Sequence, residues 1–381
     1  MTVVPGYQAA GGWYWETACL RNMLAHRGVA HSEALLLGLS GGIGVMYFVF
    51  EYEGWEPRFF VNTRQVRPKG DALADLCRRL GVKVAAAQTP HPQKAEASLV
   101  GQVEAGRPVM VWADRESLPY NLGRPTPGVG YMLPIVVFGV EGEQVLIEDR
   151  SALPLTCSLA ELAAARANYA SVKNRALVVE GVDTVDLPAA VLDAIRDCAA
   201  GFVAGPMANF GLKGLLKWAD LLVSARDKKG WPTLFGTGER FYKALVSSFA
   251  YIELEGTGGG ATRPLYASFL DEAAVLLGRP ALREVADQFR DCGRRWTALA
   301  DAFLGPFPET RDSLRLDDRL FREQGMASVG ERRMIGERLA SFGPERLPEV
   351  AVALRQELHD RLVEIHAAEA AAVGALQEAV S

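Results

Sequence analysis

Histidine is scarce in this 381-residue chain. It occurs five times, at positions 26, 31, 91, 359 and 366, so few positions can offer the side chain that most readily exchanges protons near neutral pH. Cysteine is as sparse. The five residues, at 19, 77, 157, 198 and 292, stand far apart, are odd in number and form no C-x-x-C pair. That pattern argues against a disulfide framework, fits a reducing cytosol, and contains no zinc-type ligand cluster. An excess of basic charge is missing too. Lys and Arg total 41 against 46 Asp and Glu, for a net charge of −5, and without a basic stripe nucleic acid is excluded as an expected partner. The most apolar runs, such as 131–140, are too short to span a bilayer. The N-terminus lacks a basic segment leading into a long apolar run, so no signal peptide is expected. These absences predict a soluble, cytoplasmic protein with neither a membrane partner nor a metal.

What is present is ordinary globular material, with 49% apolar and 23% charged residues, enough for full cores and, at this length, for two domains. Residues 1–182 mix short apolar runs with helical periodicity. Helices are predicted at 15–26, 32–39, 71–80, 93–104 and 158–166, and strands at 45–52, 58–61, 82–87, 109–112, 134–139, 145–148 and 176–182. Ser32 is placed to cap its helix, and Gly28 and Gly81 to stop theirs. Strands and helices that do not alternate strictly predict an α+β domain. Residues 183–381 read as mostly α-helical, with helices at 187–203, 212–226, 239–253, 265–277, 281–304 and 347–378. The Ala- and Glu-rich last helix lacks sustained heptads, so a packing helix is expected rather than a coiled-coil arm.

The stretch with most chemical content is Gly12-Trp13-Tyr14-Trp15-Glu16-Thr17-Ala18-Cys19-Leu20-Arg21-Asn22. Bulky aromatics stand at the mouth of a helix, and a cysteine follows one turn inside it. Further segments join this one: Ser32-Glu33, the Gly38–Gly44 loop running into Val45-Met46-Tyr47-Phe48, and Asp114 to Tyr120. Ile135 to Val140 with Val145 to Arg150 follow. In the second half, Glu253 to Gly260 leads into Arg263-Pro264-Leu265-Tyr266. In this order the set resembles the butirosin biosynthesis protein H family, with the domain of unknown function that usually follows it. The resemblance implies a papain-like cysteine-enzyme fold for residues 1–182. In such a fold a Cys at a helix N-terminus is activated by the helix dipole and by a His on a facing strand, which a carboxylate or amide orients. It further implies transfer of an acyl group from a carrier-protein thioester to an amine, a step of antibiotic or other natural-product biosynthesis.

The family's catalytic pair is not where the resemblance puts it. Trp15 stands at the nucleophile's place and Tyr14 at the preceding His. Near the base's place stand Met132 and Leu133. Asp149 remains as a candidate orienting carboxylate with no imidazole to orient, so the catalytic set is degenerate. Cys19, one turn on, is either a relocated nucleophile or a core thiol. Trp13, Tyr14 and Trp15 either fill the vacated space or line a pocket for an aromatic or cationic ligand. Tyr131, Glu16 and Asp149 could form a different acid–base set.

Two glycine-rich segments invite comparison with anion sites. Gly42 lies in a loop that precedes a strand, the wrong order for a dinucleotide fingerprint, and is read as a tight turn beside the site. Gly258 and Gly259 open a helix carrying Arg263, where an anion such as a phosphopantetheine or a carboxylate could dock, unless the loop is only a surface connection. A cleft between the domains, lined by Tyr14, Trp15, Tyr120, Asp149 and Arg263, is the expected site. The expected partners are an acyl or peptidyl carrier protein and a small-molecule amine or carrier-bound substrate. No cofactor is expected beyond the carrier's phosphopantetheine arm. Three functions stay open: acyl transfer, cyclisation or condensation without a covalent Cys; a catalytically inactive binding or scaffold protein; and an acyltransferase using Cys19.

Overall fold

A computed structural model describes residues 2–65, 71–121, 132–340 and 347–381. The first half holds β1 (Thr2–Val3), α1 (Trp15–His26), α2 (Glu33–Leu39), β2 (Ile43–Phe50), β3 (Arg58–Arg64), α3 (Ala72–Leu80), β4 (Val82–Ala87), α4 (Pro92–Glu104) and β5 (Val109–Asp114). It continues with β6 (Met132–Glu141), β7 (Gln144–Glu148), β8 (Leu155–Ser158), α5 (Leu159–Ala167) and β9 (Ala176–Val182). Helices follow: α6 (Leu187–Val203), α7 (Gly211–Val223), α8 (Trp231–Leu234), α9 (Glu239–Glu253), α10 (Arg263–Leu276), α11 (Ala281–Phe303), α12 (Pro308–Gln324), α13 (Val329–Ala340) and α14 (Leu347–Ala379).

The architecture is α+β, a papain-like sheet domain followed by a mostly helical part. Local chemistry sets several boundaries where the sequence pattern predicted them. Ser32 Oγ accepts from Leu35 N–H at the start of α2. Asp71 accepts from Leu73 and Ala74 N–H at the start of α3, and Gly81 ends that helix at φ 67°, a conformation that costs glycine little. Seven strands form an antiparallel sheet in the order β4-β9-β5-β6-β7-β8, with β1 added on β6. Helix α1 lies against β6, and the Cys19 thiol donates to the Pro134 carbonyl at 3.5 Å.

Five elements escaped the sequence reading: β1, β8, α8, α12 and α13. For α12 the reason is chemical. Its buried residues include Thr310, Ser313, Asp317 and Asp318 beside Leu314, Leu320 and Phe321, so polar residues take up much of the inward face and few apolar ones mark the helix.

Around the expected boundary at 182/183 β9 ends at Val182 and α6 starts at Leu187, and packing crosses it. The β2–β3 hairpin is embedded among the later helices. Buried Tyr47 stacks on Trp218 at 5.5 Å and accepts from Trp231 Nε1 at 2.8 Å, and Phe59 packs on Trp231, Phe235 and Tyr251. The last helix, α14, packs along α11 and α7 with Leu358, Leu362, Ile365 and Leu376 buried.

Candidate functional site

The entrance to α1 is fixed by a carboxylate from α2. Buried Glu33 accepts from the backbone N–H of Trp13 at 3.0 Å and of Tyr14 at 2.8 Å, and from the Thr17 hydroxyl at 3.2 Å. Tyr14 is the N-cap residue in extended conformation and gives the helix no side-chain cap. Trp15, the first helical residue, is buried, and it lines a cleft together with Leu133. The structure therefore brings together the two positions at which the family's nucleophile and base were expected, and neither side chain there exchanges protons.

The cleft has two lobes. The narrower one, with a cavity volume of about 90 Å³, is lined mainly by Trp15, Phe60, Leu133, Tyr251, Gly256 and Thr257. The larger, about 380 Å³, is lined by Glu16, Gln65, Asp71, Asp75 and Arg175 among others. Tyr14, Asn62 and Arg64 line both. The Arg64 guanidinium lies 3.6 Å from the centre of the Tyr14 ring, a cation–π stack, and donates to Ser40 Oγ. Burial, with Glu16 adding to it, pushes the Tyr14 hydroxyl up to about 12. Burial also raises the Glu16 carboxyl, while Arg64 pulls it down and Asp71 pushes it up again. A carboxyl held in this way takes up a proton more readily than a solvated one.

Against the Trp15 ring lies a buried polar group of residues. The Arg150 guanidinium stands 4.5 Å from the Trp15 ring and that of Arg115 5.6 Å. Arg115 bridges the halves of the chain through Glu255 at 2.5 Å. Asp149 is 2% exposed and approaches Arg150 Nε at 3.5 Å.

Several expected site residues fall elsewhere. Arg263 is fully buried and its donors are already taken, so it has none to offer an external anion. Its donors go to Glu369 Oε1 at 2.6 Å and to the carbonyls of Thr63 (2.9 Å), Ala261 (2.7 Å) and Gly44 (3.1 Å). The glycine-rich loop before α10 is already served by an internal carboxylate, because Gly260 N–H donates to Glu253 Oε1 at 3.0 Å. Gly259 N–H donates to Thr257 Oγ1, and Gly258 packs on the Trp13 ring. An anion dock at Gly258, Gly259 and Arg263 is thus corrected to an internal hydrogen-bonded junction.

Tyr120 is sealed, with no exposed surface, and stacks on Phe321 rather than lining the cleft. Trp13 is 41% exposed and stacks on Arg322 outside it. Gly42 is the close-approach turn the sequence suggested. A Cβ there would lie 2.6 Å from Tyr266 Cε2. Cys19 is buried, and burial followed by the charge of Glu148 drives its thiol well above the usual range. That is the setting of an inert thiol rather than a nucleophile. Tyr131 lies outside the described residues. Among the described residues no cluster of three or more His, Cys, Asp and Glu side chains has metal-holding geometry, and no helix is long and apolar enough to cross a membrane.

Glu33, Arg64, Arg115 and Arg150 were not singled out from the sequence. Glu33, Arg115 and Arg150 lie inside the segments that carry the resemblance, which was the available signal. Arg64 lies outside them.

An antiparallel sheet domain with the N-terminus of a helix at the wall of a cleft, followed by a helical part, is consistent with a papain-like class of protein. Comparison with known families agrees. The family model for the N-terminal domain of butirosin biosynthesis protein H matches residues 15–150, and that for a domain of unknown function, DUF4872, matches residues 158–320. The chain belongs to the butirosin H-like family, which implies an acyltransferase-like role related to butirosin biosynthesis. No curated protein matches the sequence.

Proposed function

We propose that this protein brings a carrier-bound acyl or aminoacyl thioester together with an amine, and promotes acyl transfer, cyclisation or condensation without an acyl-cysteine intermediate. The observation that carries the reading is the two-lobed cleft. Its narrow lobe is mostly apolar and suits an acyl chain. Its larger lobe sets Glu16, Asp71 and Asp75 against Arg64 and Arg175, an excess of acid that suits a cationic amine. The Tyr14–Arg64 stack stands where the lobes meet.

In this reading the bound ammonium first gives up one proton to solvent, and the neutral amine nitrogen then attacks the thioester carbonyl directly. The C–N bond forms, the C–S bond breaks, Glu16 takes the proton from nitrogen, and the departing thiolate recovers it. Holding the two reactants in place can contribute about 7–11 kcal/mol when their geometry is well set. Asp149 is sealed beside Arg150, so it supports the wall of the site rather than the transfer. A carrier protein supplies the phosphopantetheine arm, and the protein adds no cofactor of its own.

The test is turnover of an aminoacyl carrier-protein thioester with an amine acceptor, followed by intact mass. Amide product with no protein adduct is expected. Glu16→Gln should lower kcat by ~10²-fold, within the usual range for a lost general base, and Cys19→Ala should leave it unchanged. A second reading, an inactive binding or scaffold protein, is favoured by the absence of any proton-exchanging group at positions 15 and 133. Tight binding of the carrier thioester with no turnover would establish that reading instead, and an adduct on Cys19 would overturn both.

A further inference from the structure

The polar residues against the Trp15 ring present more donors than acceptors. Arg150 is 3% exposed, yet its Nε, Nη1 and Nη2 have no hydrogen-bond partner among the described residues. Its contact with Asp149 Oδ1, at 3.5 Å, is long for a charge-assisted hydrogen bond. Trp15 Nε1, the Tyr120 hydroxyl and Arg115 Nε are also buried without a partner, and the unpartnered acceptor beside them is Asp149 Oδ1. A guanidinium taken out of water with its N–H groups unmet is strongly unfavourable, and native proteins meet such groups with an ion, water or another side chain. Arg150 also holds φ at 41°, a costly conformation for a residue with a side chain.

The surroundings restrict what can satisfy it. The guanidinium carbon lies 4.5 Å from the Trp15 ring and 5.4 Å from the Phe321 ring, and Tyr120 stacks on Phe321. Aromatic rings crowd the cation, and the N–H groups of a guanidinium lie in its plane, so its unmet donors lie along its edge. A planar group with two acceptor oxygens matches that edge, as carboxylates match arginine in bidentate pairs. We propose that the enclosed group of Arg150, Trp15, Tyr120 and Arg115 is a binding site for a small carboxylate anion. Arg150 takes it edge-on, and Trp15 Nε1 and the Tyr120 hydroxyl donate to the remaining lone pairs. The Trp15 ring is shared between this site and the open cleft, and the assignment does not depend on thioester chemistry.

Trifluoroacetate titrated into the full-length protein and followed by ¹⁹F NMR tests this directly. Saturable binding is expected, displaced by acetate and not by equimolar inorganic phosphate or chloride. Affinity should fall at least tenfold in Arg150→Met and several-fold in Tyr120→Phe, which keeps the ring and loses only the donor. Should Arg150→Met fail to fold, Tyr120→Phe decides alone. Non-saturable binding, displacement by phosphate but not acetate, or wild-type affinity in the folded variants would overturn the assignment.

Discussion

Arg263 offers the most quantitative test of how the chain is held together. It looked like a ligand-binding arginine in sequence and is a buried junction in the structure. Its guanidinium joins Glu369 on α14, the carbonyls of Thr63 and Gly44 at the ends of the β2–β3 hairpin, and the carbonyl of Ala261 before α10. Glu369 is fully buried, and its Oε1 also accepts from Trp296 Nε1 at 2.7 Å. Arg263→Met keeps an apolar stem of similar length but leaves that carboxylate buried without its cation, which costs about 3–5 kcal/mol. Three carbonyls lose a donor as well, adding roughly 1 kcal/mol or more between them. The sum is a large share of a total stability of about 5–15 kcal/mol.

Removing both charges in Arg263→Met/Glu369→Leu should recover most of the loss, because a buried ion pair replaced by apolar residues is often close to neutral. A residue of about 1–2 kcal/mol from the carbonyls and the Trp296 N–H should remain. Urea unfolding of the wild type, both single variants and the double variant, followed by tryptophan fluorescence and far-UV circular dichroism, gives the coupling energy. A cost under about 1 kcal/mol for Arg263→Met, or a double variant as unstable as the sum of the singles, would refute the reasoning. A fully stable Arg263→Met that had lost only ligand binding would restore the anion-dock reading.

Three further outcomes follow from the same geometry. All five cysteines are buried; burial lifts the thiols of Cys77 and Cys157 to about 12 and pushes that of Cys19 well above its ordinary range. Folded protein at pH 8 should therefore release well under ~0.5 equivalent of thionitrobenzoate from Ellman's reagent, rising to five on unfolding; one fast equivalent that disappears in Cys19→Ala would revive a Cys19 nucleophile. Because the Glu16 carboxyl is raised in the fold, its stabilising protonated form is fully present below the unfolded value near 4.5 and is lost as pH rises through the folded value. Glu16→Gln should thus raise Tm by ~1–3 °C at pH 7.5, with the gain vanishing below pH 4.5; a gain independent of pH would contradict this. Gly256 has φ 70°, and a Cβ there would lie 2.5 Å from Trp15 Cζ3. Gly256→Ala should cost about 2–4 kcal/mol, and Trp15→Leu should relieve the steric part, leaving about 1–2 kcal/mol of backbone strain; additive losses in thermal melts would rule out the clash.

Much of the fold was legible because its signals are local. Helices 15–26, 187–203 and 239–253 and strands 82–87 and 176–182 begin and end where periodicity and caps placed them. Helix α12 was missed because Asp317 and Asp318 face inward, and no local pattern announces a buried carboxylate. The candidate site was half legible. Tyr14, Trp15 and Leu133 were read from their places in the resemblance, and the structure brings them to one cleft. Arg64 was not seen, since its role depends on a ring fifty residues earlier in the chain.

The sequence by itself determined the α+β class, the order of most of the elements and the family. These rest on residue identity and on spacing between near neighbours, which the chain carries wherever it folds. Only the tertiary structure decided which charges are enclosed. Arg263 meets Glu369 across 106 positions and becomes a core residue. Arg150 is drawn beneath Trp15 with its edge unmet. Glu16 is left beside the open lobe. Desolvation depends on everything packed around a group, and that surrounding is assembled from parts of the chain that no local window contains.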